Sequence, residues 1–335
     1  MAALANTNPT LMDLAAATDP DGSIATIVEL LSQANEMLLD MTWVEGNLPT
    51  GHRTTVRTGL PPVTWRALYG GVQPGKSTSV TVTDNTGMLE AYGVVDKALA
   101  DLNGNTAAFR LSEEMSQIAA LANEIQRVLI YGNEGVIQES FTGFTPRYNA
   151  NSGATNALNV ILGSGASTDN ASIWLVYWSP LIAHGIVPRG SKAGLQVEDK
   201  GLMTHQNIDG AGGFAEVYTT HYRWDAGLTV RDWRGIVRIC NISKANLTKN
   251  AATGDDLADL MFQALEAVPP QVAALGRPVF YMSRNTMSFL RRQLVNKTAG
   301  STLTIENVGG KQVYSFSGIP LRRCDAMAAS ETLVT

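Results

Sequence analysis

Lysine and arginine are missing from the first 51 residues, where seven acids stand: Asp13, Asp19, Asp21, Glu29, Glu36, Asp40 and Glu45. A chain start with no basic residue and no unbroken apolar stretch lacks both parts of a secretory signal, so export is not expected. Cysteine is scarce, and Cys240 and Cys324 allow at most one disulfide. Both lie in strand-like surroundings, which predicts two small buried apolar side chains in a reducing cytosol. Long hydrophobic runs are also absent. The most apolar stretch, Ile173 to Pro188, is broken by Ser179, Pro180 and His184 and is too short to cross a bilayer, so no membrane partner is expected. The four histidines, His52, His184, His205 and His221, sit in no metal-ligand spacing, and neither a G-x-S-x-G elbow nor a G-x-G-x-x-G turn occurs. No catalytic residue, cofactor or metal is expected on these grounds. Excess positive charge is lacking too: a net charge of −5 argues against a dedicated nucleic-acid reader and leaves only loose contact with DNA. No repeat of 20 to 50 residues is found, which removes solenoids and propellers.

Where the acidic start ends, a basic stretch begins. His52 to Ser77 carries Arg53, Arg57, Arg66 and Lys76 and no acid. Two solvated faces account for this pattern as well as self-docking between copies does, because charge runs often do no more than stay wet. Inside the stretch, Gly70, Gly75, Lys76 and Ser77 match the phosphate-loop pattern G-x-x-x-x-G-K-[ST]. Such a loop needs a buried apolar strand before it and a helix N-terminus after it. Upstream, PPVTWRALYG opens on two prolines and puts Trp65, Arg66 and Tyr69 where a core strand would carry Val, Ile and Leu. Downstream, Val80 and Val82 alternate with Thr81 and Thr83, which is strand periodicity. The glycines therefore read as the tip of a long polar hairpin, up through HRTTVRTGLPPVTWRALY and back through KSTSVTVTDNTG. A two-stranded ribbon so poor in apolar residues is marginal alone in water, and its expected support is another subunit.

With 335 residues, 44% of them hydrophobic, the chain can bury a sizeable core in two or more lobes. Apolar residues from Ile24 to Met41 recur at helical spacing after DPDGS. A second helix is expected over Ser112–Tyr131, with Ser112 as N-cap, Glu113 and Glu114 in the first turn, and Gly132 as the stop. At about 1.5 Å per residue it would measure about 30 Å, and its glutamates read as capping groups, with no acid–base role. Phe141 to Ser172 reads mainly as loop, and IWLVYWSP as a strand. Two long strands follow, turning at Asp225-Ala226-Gly227. The second shows Trp233, Val237 and Ile239 on one face and Asp232, Arg234 and Arg238 on the other. A helical stripe from Leu257 to Val268 ends at Pro269 and Pro270. RPVFYMS then reads as a strand, RNTMSFLRRQLVN as a helix, and the rest as a hairpin turning near Gly309-Gly310. The fold class is α+β.

Four phrases, IWLVYWSPLIAHGIVPRGSKAGLQVEDKG, YRWDAGLTVRDWRGIVRICNI, PVFYMSRNTMSFLRRQ and FSGIPLRRCDAM, stand in this order after the acidic arm, the polar hairpin and the long helix. Together they resemble tailed-phage major capsid proteins of the Hong Kong 97 fold, especially those of short-tailed phages of the epsilon-fifteen type. The resemblance implies an N-terminal arm with helix (1–45) and an extended loop (46–90). It also implies a peripheral domain (91–145 and 214–245) and an axial domain with the C-terminal part (146–213 and 246–335). It implies pentamers and hexamers in an icosahedral virion shell around double-stranded DNA, assembled in the bacterial cytoplasm with portal, scaffolding and decoration proteins as further partners. In the family's type member a loop lysine bonds covalently to a neighbour's asparagine. Lys76 stands near that place, but neither the asparagine nor the glutamate that promotes the bond has a match here. Candidate subunit-interface residues are Arg53, Arg57, Arg66 and Lys76 with Trp65 and Tyr69, the acids Glu29, Glu36 and Asp40, and Arg234 and Arg238. The competing readings are a nanocompartment shell of the encapsulin type, a divergent phosphate-loop enzyme, and a β-rich carbohydrate-binding or fibre protein.

Overall fold

The computed structural model describes residues 36–102, 106–206, 212–248, 254–296, 303–308 and 311–335. In chain order the strands are β1 (Trp43–Glu45), β2 (Gly51–Gly59), β3 (Thr78–Asp96), β4 (Val160–Leu162), β5 (Asn170–Trp178), β6 (Ala183–Val187), β7 (Gln196–Gln206), β8 (Phe214–Val230), β9 (Ile236–Ser243), β10 (Arg277–Met282), β11 (Leu303–Val308), β12 (Lys311–Phe316) and β13 (Ile319–Arg323). The helices are α1 (Glu36–Asp40), α2 (Lys97–Asp101), α3 (Thr106–Tyr131), α4 (Leu257–Ala267), α5 (Pro270–Ala273) and α6 (Arg284–Asn296). The described chain divides into a smaller unit, residues 88–126 and 192–225, and a larger one, residues 36–87, 127–191 and 226–335. This mixture of helix and strand is the expected α+β class. The expected Gly309-Gly310 turn and most of the Ile24–Met41 helix lie outside the described residues.

The larger unit is organised by its most apolar strand. All nine residues of β5 are buried, which is why IWLVYW shows no polar alternation. β9 and β10 flank it, both antiparallel. β10 continues in parallel to β13, then β12 and β11. Trp174 and Trp178 of β5 meet Phe144, Tyr148 and Tyr281 at centroid distances of 5.7 to 6.5 Å, an aromatic core whose indole Trp178 Nε1 donates to Tyr281 Oη at 2.8 Å. α4 packs on β9 and on α6, and Asp256 caps it by accepting from Ala258 N at 3.1 Å and Asp259 N at 3.3 Å. It ends before Pro269, as its sequence predicts, and α6 coincides with RNTMSFLRRQLVN. Neither cysteine is in a disulfide, and both are buried.

The smaller unit gathers its core from Val95, Ala100 and Phe109, with Leu99 and Tyr218 packed on them. β7 and β8 run antiparallel, with a register shift between Asp199 and Gly201. Arg110 of α3 ties helix to strands by reaching Asp199 at 2.8 Å, Thr220 Oγ1 at 3.2 Å and the face of Tyr218 at 4.9 Å.

Three local expectations are corrected. α3 starts at Thr106, so Ser112 is an interior residue and no N-cap. TAAFRL holds good helix formers, and the Ser-Glu-Glu that resembles a cap is used otherwise, Glu114 pairing with Arg110 at 3.6 Å and accepting from Thr220 Oγ1 at 2.8 Å. Asp225-Ala226-Gly227 is no turn: β8 runs through it, because Asp225 is buried and neutralised by the Arg223 fork at 2.9 and 3.0 Å. The reversal comes later, in the short 3-10 turn Trp233–Gly235, where Asp232 accepts from Arg234 N at 3.1 Å. Nor does β9 have two faces, since all eight of its residues are buried.

Candidate subunit interface

The hairpin forms where the sequence places it. β2 and β3 pair antiparallel from Gly51 opposite Asn85 to Gly59 opposite Thr78, with an irregularity between Arg57 and Gly59. At the root, Asn47 clamps the edge of β2: its Nδ2 donates to Arg53 O and its Oδ1 accepts from Arg53 N, both at 2.7 Å. Buried Asp84 opposite His52 is neutralised by Arg147 at 2.8 Å. His52 meets His184 edge to face at 5.7 Å. Burial first, then His52 and Arg231, hold the His184 imidazole down at about 4, and burial also lowers His52.

Beyond Gly59 and Thr78 the two arms leave the ladder. Residues 60–77 carry no strand, and the chain reverses at Ala67–Gly70, where Gly70 N donates to Ala67 O at 3.0 Å and Tyr69, not a glycine, takes the left-handed backbone at φ 64°. Gly75 serves a different purpose. A methyl group there would lie 2.7 Å from Pro62 Cδ, so this glycine lets the returning arm pass the outgoing one. Lys76 and Ser77 lead directly into β3 with no helix to point at a phosphate, so the motif has the pattern of a phosphate loop without its geometry.

The side chains of this tip face outward. Trp65, Tyr69, Leu60, Val63 and Leu68 are all exposed, Tyr69 at 98% and Val63 at 92%. That is far more contiguous apolar surface than scattered exposed residues provide, and such patches mark contact sites. Among the described residues Arg53, Arg57, Arg66 and Lys76 have no carboxylate partner.

The other interface candidates are not with them. The Asp40 side chain is 7% exposed, accepting from Tyr281 Oη at 3.0 Å and pairing with Arg322 at 3.2 Å, and half-buried Glu36 lies 3.6 Å from the same guanidinium, its carboxyl pKa raised chiefly by burial. Arg238 is 2% exposed and interior: it donates to Glu331 at 2.7 Å and to Tyr148 O at 2.8 Å. All three engage partners inside the subunit, and those partners lie far along the chain, so the sequence carried no local mark of them. Arg234 is at the surface but engages Asp232 at 2.7 Å. Glu29 lies outside the described residues.

A surface the sequence reading passed over lies where α3 ends. Gly132 stops the helix as expected, and loop 133–140 carries exposed Val136 and Ile137 between Glu134 and Glu139, two acids with no ion pair among the described residues. Beside the loop is a cavity of about 350 Å³ whose lining mixes apolar side chains, Val128, Val136, Ile137 and Pro146, with the polar Arg127 and Asn133. Thr145 Oγ1 is buried there with no hydrogen-bond partner among the described residues. The available signal was two apolar residues bracketed by acids immediately after a helix stop.

Neither a group of three or more His, Cys, Asp or Glu side chains suited to a metal nor a helix long and apolar enough to span a membrane occurs among the described residues. No curated protein matches the chain. Among solved structures it is similar to that of bacteriophage Epsilon15, with 37% identity, a TM-score of 0.81, and coverage of 100% of this chain and 99% of that one. Weaker similarity extends to the bacteriophage JBD30 capsid (10% identity, TM-score 0.45, 89% and 93% covered) and to the SrpI encapsulin of Synechococcus elongatus (9% identity, TM-score 0.45, 66% and 92% covered). The family model described as major capsid protein GP7 matches residues 19–335, and with the Epsilon15 likeness over the whole length, the chain belongs to the GP7 family of phage major capsid proteins.

Proposed function

We propose that the ribbon of each copy lies across a neighbouring copy, and that this contact, repeated, closes pentamers and hexamers into the icosahedral shell around a phage double-stranded DNA genome. As a major capsid protein the chain is a shell-forming component of a phage virion, and self-association is its activity. The observation that supports the finer reading is the tip 60–77, whose apolar side chains are exposed and whose cations find no carboxylate partner among the described residues. Trp65 and Tyr69 are the anchors expected of an interface centre, and Arg53, Arg57, Arg66 and Lys76 supply charge that selects register. An exposed ion pair contributes about 0 to 1 kcal/mol, too little to hold two proteins alone, but a closed shell repeats it in every subunit and weak contacts permit correction. The arm, extended loop, peripheral and axial domains take the borders implied by the resemblance. Assembly takes place in the bacterial cytoplasm, with portal, scaffolding and decoration proteins as accessory partners and loose contact with DNA. Negative-stain microscopy of the purified chain tests this: closed particles, tubes or capsomer rings are expected, and a uniformly monomeric field would overturn it.

A further inference from the structure

The ribbon cannot satisfy its own tip. Gly87, midway along β3 and two residues beyond the last pairing with β2 at Asn85, marks the root of the ribbon and lies against loop 133–140, where a methyl would come within 3.0 Å of Glu139 O. From that root the stem runs outward through the nine residues of β2, about 30 Å at 3.3 Å per residue, before the tip begins. Trp65 is therefore carried away from the cavity beside loop 133–140 of its own subunit.

Resting on the reading that the ribbon docks on a sister copy, we propose that Trp65 of one subunit seats in this cavity of the next, with Arg66 facing Glu134 and Glu139. Size, polarity and charge all fit. A cavity of about 150 Å³ already takes up benzene, so about 350 Å³ accepts an indole with room for water. Val128, Val136, Ile137 and Pro146 give the ring apolar walls, and the one donor of an indole, Nε1–H, is left toward the polar part of the lining, Asn133 and Asn149. The same loop carries Glu134 and Glu139, which have no ion pair among the described residues and are opposite in charge to a tip whose cations are likewise without carboxylate partners there. The contact joins the tip of one copy to the root of the next, so it is heterologous, the class of interface that generates rings when the rotation closes.

The test measures the concentration at which the full-length chain forms particles, by light scattering and microscopy, with thermal unfolding as the control for folding. Trp65→Ala and Ile137→Asp are each expected to raise that concentration about tenfold or more. The two together should do no worse than the more damaging one. Arg66→Glu and the pair Glu134→Lys with Glu139→Lys should each impair assembly, and their combination should recover much of the loss. Should Ile137→Asp unfold, Val136→Asp takes its place, since Val136 is 78% exposed. If Trp65→Ala fails to assemble while the loop variants assemble normally, or if the losses simply add, the ribbon docks elsewhere and the cavity assignment is overturned while the ribbon reading stands. If Trp65→Ala, Arg66→Glu and the loop variants all assemble like the unaltered chain, both readings fall.

Discussion

Glu331 lies near the C-terminal end of the described residues, and its carboxylate joins three other side chains in one buried polar site. Its carboxylate accepts from Arg238 at 2.7 Å, from Tyr131 Oη at 2.6 Å and from Ser172 Oγ, and Tyr131 Oη in turn accepts from Ala328 N at 2.8 Å. Burial beside this carboxylate pushes the Tyr131 phenol far above its ordinary range, so it stays a neutral donor. Removing one partner strands a buried guanidinium: Glu331→Ala should cost about 3–5 kcal/mol, whereas Arg238→Met with Glu331→Leu should cost less, as read from denaturant midpoints. His184 gives a pH signature. Its folded value of about 4 lies below the 6.5 of a free imidazole, so the unfolded chain binds the proton more readily. Folding is therefore favoured above about pH 6.5 and loses this contribution as pH falls toward 4. His184→Leu should flatten that acid limb, and unfolding curves from pH 4 to 7 will read it. None of these pairings was legible in the sequence: Glu331 and Arg238 stand 93 positions apart, and a charge alone does not say whether it points inward.

At the scale of elements, the sequence disclosed what periodicity governs and missed what distant partners decide. β5, α4 and α6 were readable because burial, capping and proline leave local marks. The N-terminal extension of α3 and the course of β8 through Asp225 were not, because a Ser-Glu-Glu and an Asp-Ala-Gly have strong local meanings that the Thr220 and Arg223 contacts overrule. The ribbon was legible for the opposite reason: Thr-rich alternation with no apolar face cannot make a core. Replacing residues 60–77 by a two-residue turn should therefore leave the melting temperature within a few degrees, since no buried contact is lost, and yet abolish particle formation. Calorimetry and microscopy on the same preparation would separate the two effects.

For the whole molecule, charge and connectivity belong together. The family was recognisable from the order of its phrases, whereas the partners of its charges were not. The basic ribbon stood out, but Glu36 and Asp40 are engaged by Arg322, while Glu134 and Glu139 carry no ion pair among the described residues. If exposed pairs at the ribbon select the register, salt should weaken assembly, since the screening length falls from about 10 Å at 0.1 M to about 3 Å at 1 M. Arg57→Glu should shift the salt tolerance of assembly downward, and a titration of particle yield against sodium chloride will show it; an unchanged curve would remove Arg57 from the interface.

The ribbon's reach also decides how mixtures behave. If the tip docks on the root of a sister copy as proposed, a copy whose tip has been cut away still presents an intact root, so it can receive a predecessor but hand nothing on. In a cell making both forms, such truncated copies would act as chain terminators. A minority of them would then spoil shells far out of proportion to their number, a dominant defect that simple loss of folding would not produce.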